Sequence, residues 1–184
     1  FTWEVANNSN FGIEGTLFRD KVYFEFDYFV NNRSNILIPK TGSTPSSAGI
    51  DGKLPPQNLG KLQNKGWEFK IGYDGSVNDF TYSVSVNGGY AKNQIKFWDE
   101  TPGNPPYQQT TGMPYNSFLA YQYDGVFKDQ AEIDANTIDY SAIAGSLRPG
   151  DMKFKDIGGP GPDFKPDGKI TADDRLRSDK TNRP

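Results

Sequence analysis

The sequence predicts an all-β fold: an antiparallel sheet with one apolar face, long loops, and one or two short helices. Three observations predict it. Side chains alternate between apolar and polar along several runs. The joins between those runs are short, long, short and long in turn. Hydrophobic residues make up only 34% of the chain while aromatics reach 14%, beside 20 glycines and 13 prolines. That is material for strands and turns rather than for a leucine-rich helical core.

The runs come in order. The opening stretch sets Phe1, Trp3 and Val5, then Phe11, Ile13 and Leu17, at strand spacing. A tight join follows at Phe18 to Lys21. In "VYFEFDYFV", Val22, Phe24, Phe26, Tyr28 and Val30 fall on one face, and Tyr23, Glu25, Asp27 and Phe29 on the other, because a strand turns successive side chains to opposite sides. Residues 39–63 read as one long loop rich in Gly, Pro and Ser. "GWEFKIGY" resumes the alternation with Trp67, Phe69, Ile71 and Tyr73. A second short join is expected around Asp74 to Asp79, before "FTYSVSVN" with Phe80, Tyr82, Val84 and Val86. The runs are about 8 to 10 residues long, near the length of a tilted membrane-spanning strand. Short turns at one end and long loops at the other are the habit of outer-membrane barrels.

Two regions are therefore expected. Residues 1–92 hold two strand pairs. Residues 93–184 are mostly loop, with one strand at about 117–127 and a short helix at "DQAEIDAN", where Asp129 and Glu132 have capping-box spacing.

Charge and composition exclude several functions. The net charge of −3 comes with no basic stripe, so nucleic-acid binding is not expected. Without cysteine there is no disulfide framework or thiolate chemistry. Without histidine the commonest general base and transition-metal ligand are missing. Glu25 and Asp27 share a strand face, but a charge turned toward a barrel lumen explains them better than acid–base catalysis. The chain is not expected to be an enzyme. No apolar run approaches the roughly 18 residues of a membrane helix, which says nothing against a barrel.

Several stretches, in order, resemble one family: Thr2-Trp3-Glu4, Asp27-Tyr28-Phe29, Asn64-Lys65-Gly66-Trp67-Glu68, Tyr121 to Phe127, and Pro149 to Arg175 with its "DGKITADDR". Each is weak alone; their order and spacing are similar to the SusC/RagA-like TonB-dependent transporters of the bacterial outer membrane. The resemblance implies a plugged barrel of roughly 22 strands. This stretch would supply four or five of them from its C-terminal part. The plug, the TonB-contacting segment and the closing strands are expected to lie outside it. The implied activity is energised uptake of glycans or peptides through the outer membrane, with loops on the outer surface. The implied partners are a SusD-like surface lipoprotein, the rest of the barrel and plug, TonB and outer-membrane lipid.

Two sets of candidate site residues stand out. "DFKPDGKITADD" has the spacing of a calcium loop, so calcium is the one cofactor it suggests. Asp163, Asp167, Lys169 (through its carbonyl), Thr171 and Asp174 fall at ligand positions, with Gly168 at the sharp turn. Lys165 stands where a further oxygen is needed, and Thr171 with Asp174 equally has the spacing of a helix cap. A structural turn is the better reading. Trp98, Tyr107 and Tyr115, in the loop region, are candidate ligand-contacting aromatics. A different class stays open: a secreted soluble β-sandwich that binds glycan or protein, with or without calcium. In the transporter reading, Val22, Phe24, Phe26, Tyr28, Val30, Trp67, Phe69 and Ile71 face lipid; in the sandwich they pack inside.

Overall fold

A computed structural model describes residues 2–50 and 53–181. The chain divides into two units, residues 1–99 and 100–184. The first is one antiparallel sheet of four strands in sequence order: β1 (Val5–Leu17), β2 (Val22–Ile38), β3 (Gln57–Val77) and β4 (Phe80–Phe97).

The register sorts the side chains into rows. Directly opposite residues in an antiparallel pair share a face. One row reads Phe11, Tyr28, Trp67, Tyr90 across the four strands. The rows toward the short turns read Ile13, Phe26, Phe69, Gly88, then Gly15, Phe24, Ile71, Val86, then Leu17, Val22, Tyr73, Val84. All eight residues expected to face lipid lie on this side. They are not enclosed between sheets: Phe26 is 39% exposed, Tyr28 42% and Ile71 48%. The opposite face carries Glu14, Glu25, Lys70 and Asn87 in one row and Gly12, Asp27, Glu68 and Gly89 in the next. A row of four asparagines, Asn8, Asn31, Asn64 and Asn93, crosses the same face.

Five glycines stand directly opposite aromatics: Gly15 with Phe24, Gly66 with Phe29, Gly72 with Tyr23, Gly75 with Tyr82, and Gly88 with Phe69. A methyl group on any of them would run into its partner's ring; the nearest ring atom would lie 3.1 Å away at Gly15 and 2.9 Å at Gly88. The rings lie down over strands that have no side chain at that point, as aromatic rescue of glycine describes.

The two short turns differ. Asn78 and Asp79 alone join β3 to β4, with Asn78 at φ 53, a region Asn tolerates. Between β1 and β2, Phe18, Arg19 and Asp20 all have positive φ, at 56, 58 and 65. Such backbone costs about 1–2 kcal/mol per non-glycine residue. Thr16 Oγ1 donates to Asp20 Oδ1 at 2.6 Å and ties the turn to β1.

Several expected boundaries move. The 39–63 loop is shorter, because β3 begins at Gln57. The turn at 74–79 shrinks to two residues, because β3 runs to Val77. The first unit extends past residue 92, because β4 continues to Phe97. These strand ends are polar, with Gln63, Asn64, Asn93 and Gln94, so alternation of apolar residues does not mark them. Bulges also break the pattern, near Asn35 (φ 58) on β2 and at Lys96 on β4, where Leu62 faces Ile95 but Lys61 faces Phe97. Asn58 Nδ2 donates to Asn35 O at 2.9 Å and steadies the first of them.

The second unit has its own small core. Phe127, Tyr140 and Ile170 are buried, with Tyr121, Ile133, Ile138, Leu147 and Phe154 packed around them. The single strand expected at 117–127 is two, β5 (Ser117–Tyr121) and β6 (Tyr123–Val126), separated at Gln122. They pair with different partners, β5 with β8 (Arg175–Thr181) and β6 with β7 (Met152–Phe154). The short helix is α1 (Gln130–Asp134), and Asp129 caps it by accepting from Glu132 N at 2.8 Å.

Candidate functional site

Two places carry polar chemistry: the acidic face of the four-strand sheet and the loop clamp of the second unit.

On the sheet, Asp27 stands directly opposite Glu68, and Glu14 directly opposite Glu25. Like charges so placed repel across a strand pair. Lys70 answers Glu25 from 3.9 Å and lies 5.4 Å from the centre of the Tyr23 ring. Asn10 Nδ2 donates to Asp27 Oδ1 at 3.5 Å. Gly12 and Gly89 flank the Asp27–Glu68 pair, and Gly88 and Gly89 help line a hollow of about 450 Å³ against Glu25, Asp27, Glu68, Lys70 and Asn87. Glu68 was not anticipated as a partner of Asp27. Each strand's own alternation gives the face, but only the register gives the neighbour.

In the second unit the calcium-loop residues have other duties. Asp174 is fully buried. Its carboxylate accepts from Ile157 N at 2.9 Å, Gly158 N at 3.1 Å and Thr171 N at 2.7 Å. With Thr171 it forms a capping box on the helical turn Ala172–Asp174. Asp163 pairs with Lys165 at 3.1 Å. Asp167 Oδ1 accepts from Lys169 N at 3.0 Å. Lys169 itself is bridged to Asp139, with Ile170 N donating to Asp139 O at 2.8 Å. Among the described residues no three carboxylates gather in a way that would hold a metal ion. The Thr171–Asp174 spacing, read as a cap, matches this geometry. Asp156 was missed: it takes Gly168 N at 2.6 Å and Asp167 N at 3.3 Å, a long-range role without a local motif.

The loop aromatics divide. Tyr107 Oη donates to Asp173 O at 2.8 Å, and its ring meets Phe164 edge-on at 6.4 Å. Burial, with the charges of Asp173 and Asp174, pushes its hydroxyl above the ordinary tyrosine range. It pins one loop to another. Gln108 Nε2 adds bonds to Ala172 O and Asp173 O at 3.0 and 3.1 Å. Tyr115 is half exposed, and Trp98 lies just past β4 in the first unit.

Other polar pairs brace the second unit. Lys153 Nζ donates to Glu132 Oε1 at 2.5 Å. Backbone donation from Lys128, and then Lys153, hold the Glu132 carboxyl below its ordinary range. The same bond raises Lys153. Donation from Ser141 N lowers Asp139. Tyr140 Oη accepts from Phe154 N at 3.0 Å, so the core tyrosine keeps its polar end satisfied.

A single-layer sheet with an exposed apolar side, an aromatic row across it and an acidic opposite side is a section of the wall of a membrane β-barrel. The model of the family described as TonB dependent receptor-like, beta-barrel, matches residues 1–167. The chain belongs to that family and is part of an outer-membrane protein. It is 30% identical to TonB-dependent receptor P3 of Formosa agariphila over 93% of this chain and 18% of the relative. It is 27% identical to TonB-dependent receptor P26 of the same organism over 95% of this chain and 17% of the relative. The chain thus spans less than a fifth of these relatives. Its fold is similar to the RagAB peptide importer in the closed-closed state, with TM-score 0.63 and 20% identity over 100% of this chain and 19% of that one. The open-open state gives the same TM-score at 21% identity. The SusC/RagA-like resemblance of the sequence motifs agrees with these findings at the level of family and fold.

Proposed function

We propose that this chain is a stretch of barrel wall, from the C-terminal part, of an outer-membrane importer that takes up an oligosaccharide or a peptide. The observation that carries the reading is the sorting of the sheet into one exposed apolar face and one acidic face. From Val77 to Trp67, β3 keeps the apolar side over ten residue steps; at ~3.3 Å per step and a tilt of ~40° they rise about 25 Å, the height of a barrel's apolar band. The acidic face then lines the lumen, and the loop at 39–56 and the second unit lie on the outer surface. Energy is supplied through TonB, and a SusD-like lipoprotein covers the outer opening. Trp98 and Tyr115 are the remaining candidates to touch ligand there. The Asp163–Asp174 loop serves as a clamp on backbone amides, so added calcium leaves its stability unchanged.

The test uses the full-length protein in its native membrane. Cysteines at Val86 and Asn87, neighbours on opposite faces, are labelled separately. Water-soluble maleimide is expected to reach Asn87→Cys and not Val86→Cys. Equal labelling of both sinks the wall reading. Uptake of labelled oligosaccharide or peptide that persists in cells without TonB sinks the importer reading. Purification in mild detergent without any surface lipoprotein sinks the partner.

A further inference from the structure

The charges of the four-strand sheet are sorted by face more strictly than the wall reading requires. Every carboxylate within its strands, Glu14, Glu25, Asp27, Glu68 and Asp74, stands on the inward side. The outward side carries four lysines and no carboxylate. They lie at one place. Counting away from the aromatic row, β3 reads Trp67, Lys65, Gln63, Lys61 and β4 reads Tyr90, Lys92, Gln94, Lys96. Trp67 faces Tyr90, Lys65 faces Lys92, and Gln63 faces Gln94. Lys96 Nζ donates to Gln94 Oε1 at 2.6 Å, which keeps it on the same side.

Lys65 and Lys92 are directly opposite, so their Cβ atoms stand about 4.5–5.5 Å apart, a placement that destabilises a like-charged pair. Neither they nor Lys61 has an ion pair or hydrogen bond with another described residue. The inward face behaves differently, since there Lys70 answers Glu25. A like-charged pair without a protein counter-ion, set at the rim of an apolar band, calls for an anion supplied from outside the chain. At that height the anion available is the headgroup of a membrane lipid.

We propose that Lys65 and Lys92, with Lys61 and Lys96 behind them, form a site for the phosphates of a lipid in the leaflet at the long-loop end. The acyl chains lie along the apolar band, and Trp67 and Tyr90 stand at the level where chain meets headgroup. Four cations without an acid favour a headgroup with more than one phosphate over a zwitterionic one. The inference rests on the barrel-wall reading and adds a ligand to it.

The experiment follows lipid retained by the full-length protein, by native mass spectrometry after exchange from phosphatidylcholine vesicles with and without lipid A. The wild type is expected to keep lipid A. The double variant Lys65→Gln/Lys92→Gln is expected to keep about tenfold less. Lys65→Arg/Lys92→Arg retains it, as does Lys53→Gln, which removes a charge in the loop. Heat-dependent electrophoretic mobility checks that each variant still forms the barrel. Equal retention by the folded glutamine variant overturns the site. Competition by inorganic phosphate as effective as by lipid A overturns the lipid as its occupant. A wild-type protein that stays monodisperse without detergent overturns the wall reading itself, a separate result.

Discussion

The two units of this chain are held together by different means. In residues 1–99 the long strands carry the structure. Among its described residues the buried hydrophobic side chains are Ile38 and Ile95, while the row Phe11, Tyr28, Trp67 and Tyr90 stands open on one face. In residues 100–184 the strands are only 3 to 7 residues long, and a core around Phe127, Tyr140 and Ile170 does the work with side-chain bonds to backbone. The first unit depends on its surroundings. A sheet with one apolar face gains little until something apolar covers it, and its two outer edges are without ladder partners among the described residues. The second unit satisfies itself locally, through its own core and its own side-chain bonds to backbone.

Substitutions sharpen this contrast. The largest effect is expected in the second unit. Phe127→Ala empties the centre of its core and is expected to cost about 3–5 kcal/mol, read as faster proteolysis of residues 100–181 in the full-length protein while the barrel stays folded. If the whole barrel unfolds with it, the two units are not independent in stability. Next comes Ile71→Arg in the middle of the apolar band. A cation facing lipid at that depth costs about 2–4 kcal/mol, measured by denaturant unfolding in vesicles. Asn87→Arg, on the inward side, stays within about 0.5 kcal/mol. Equal costs would mean that both faces see water.

Asp174→Asn is a smaller change. The amide keeps one oxygen for Ile157 N and Gly158 N but turns a donor toward Thr171 N, at about 1–3 kcal/mol. The loop at 157–174 should then exchange amide hydrogens faster, with or without calcium. Protection restored by calcium would bring the metal reading back.

The smallest effect concerns pH. Glu132 titrates lower in the folded unit than in the unfolded chain. Its contribution is therefore complete above the ordinary carboxylate range and lost as pH falls through the depressed value. Lys153 is raised, so its contribution is complete below the ordinary lysine range and lost as pH rises through the raised value. Protease sensitivity around α1 should be flat between about pH 6 and 9 and rise below about pH 4. Glu132→Gln should remove the acid limb.

What the sequence made legible follows the same division. In the first unit a two-residue period is enough to assign faces, so the apolar side of β2, β3 and β4 is readable from Phe24, Ile71 and Val86 alone. The strand ends are not, because Gln57 to Asn64 and Asn93 to Phe97 extend the ladder with mostly polar residues. Cross-strand neighbours such as Asp27 and Glu68 depend on register, which no single strand encodes. In the second unit no period exists to read. Tyr140 and Ile170 meet from segments 30 residues apart, in short stretches that look like loop. The Thr171–Asp174 cap was legible because it is local. The further bonds of Asp174 to Ile157 and Gly158 were not, because their partners are distant in sequence.

The glycines opposite aromatic rings have a consequence for descent. At Gly72 the obstacle to a larger residue is the Tyr23 ring, and at Gly88 it is the Phe69 ring. A mutation that adds a side chain at either glycine is tolerated only if the partner shrinks or the ring swings away. A mutation that removes the ring exposes bare backbone on the neighbouring strand. Neither residue can drift alone, so each pair is inherited as a unit. Across relatives of this chain, the two positions of a pair should change together or not at all.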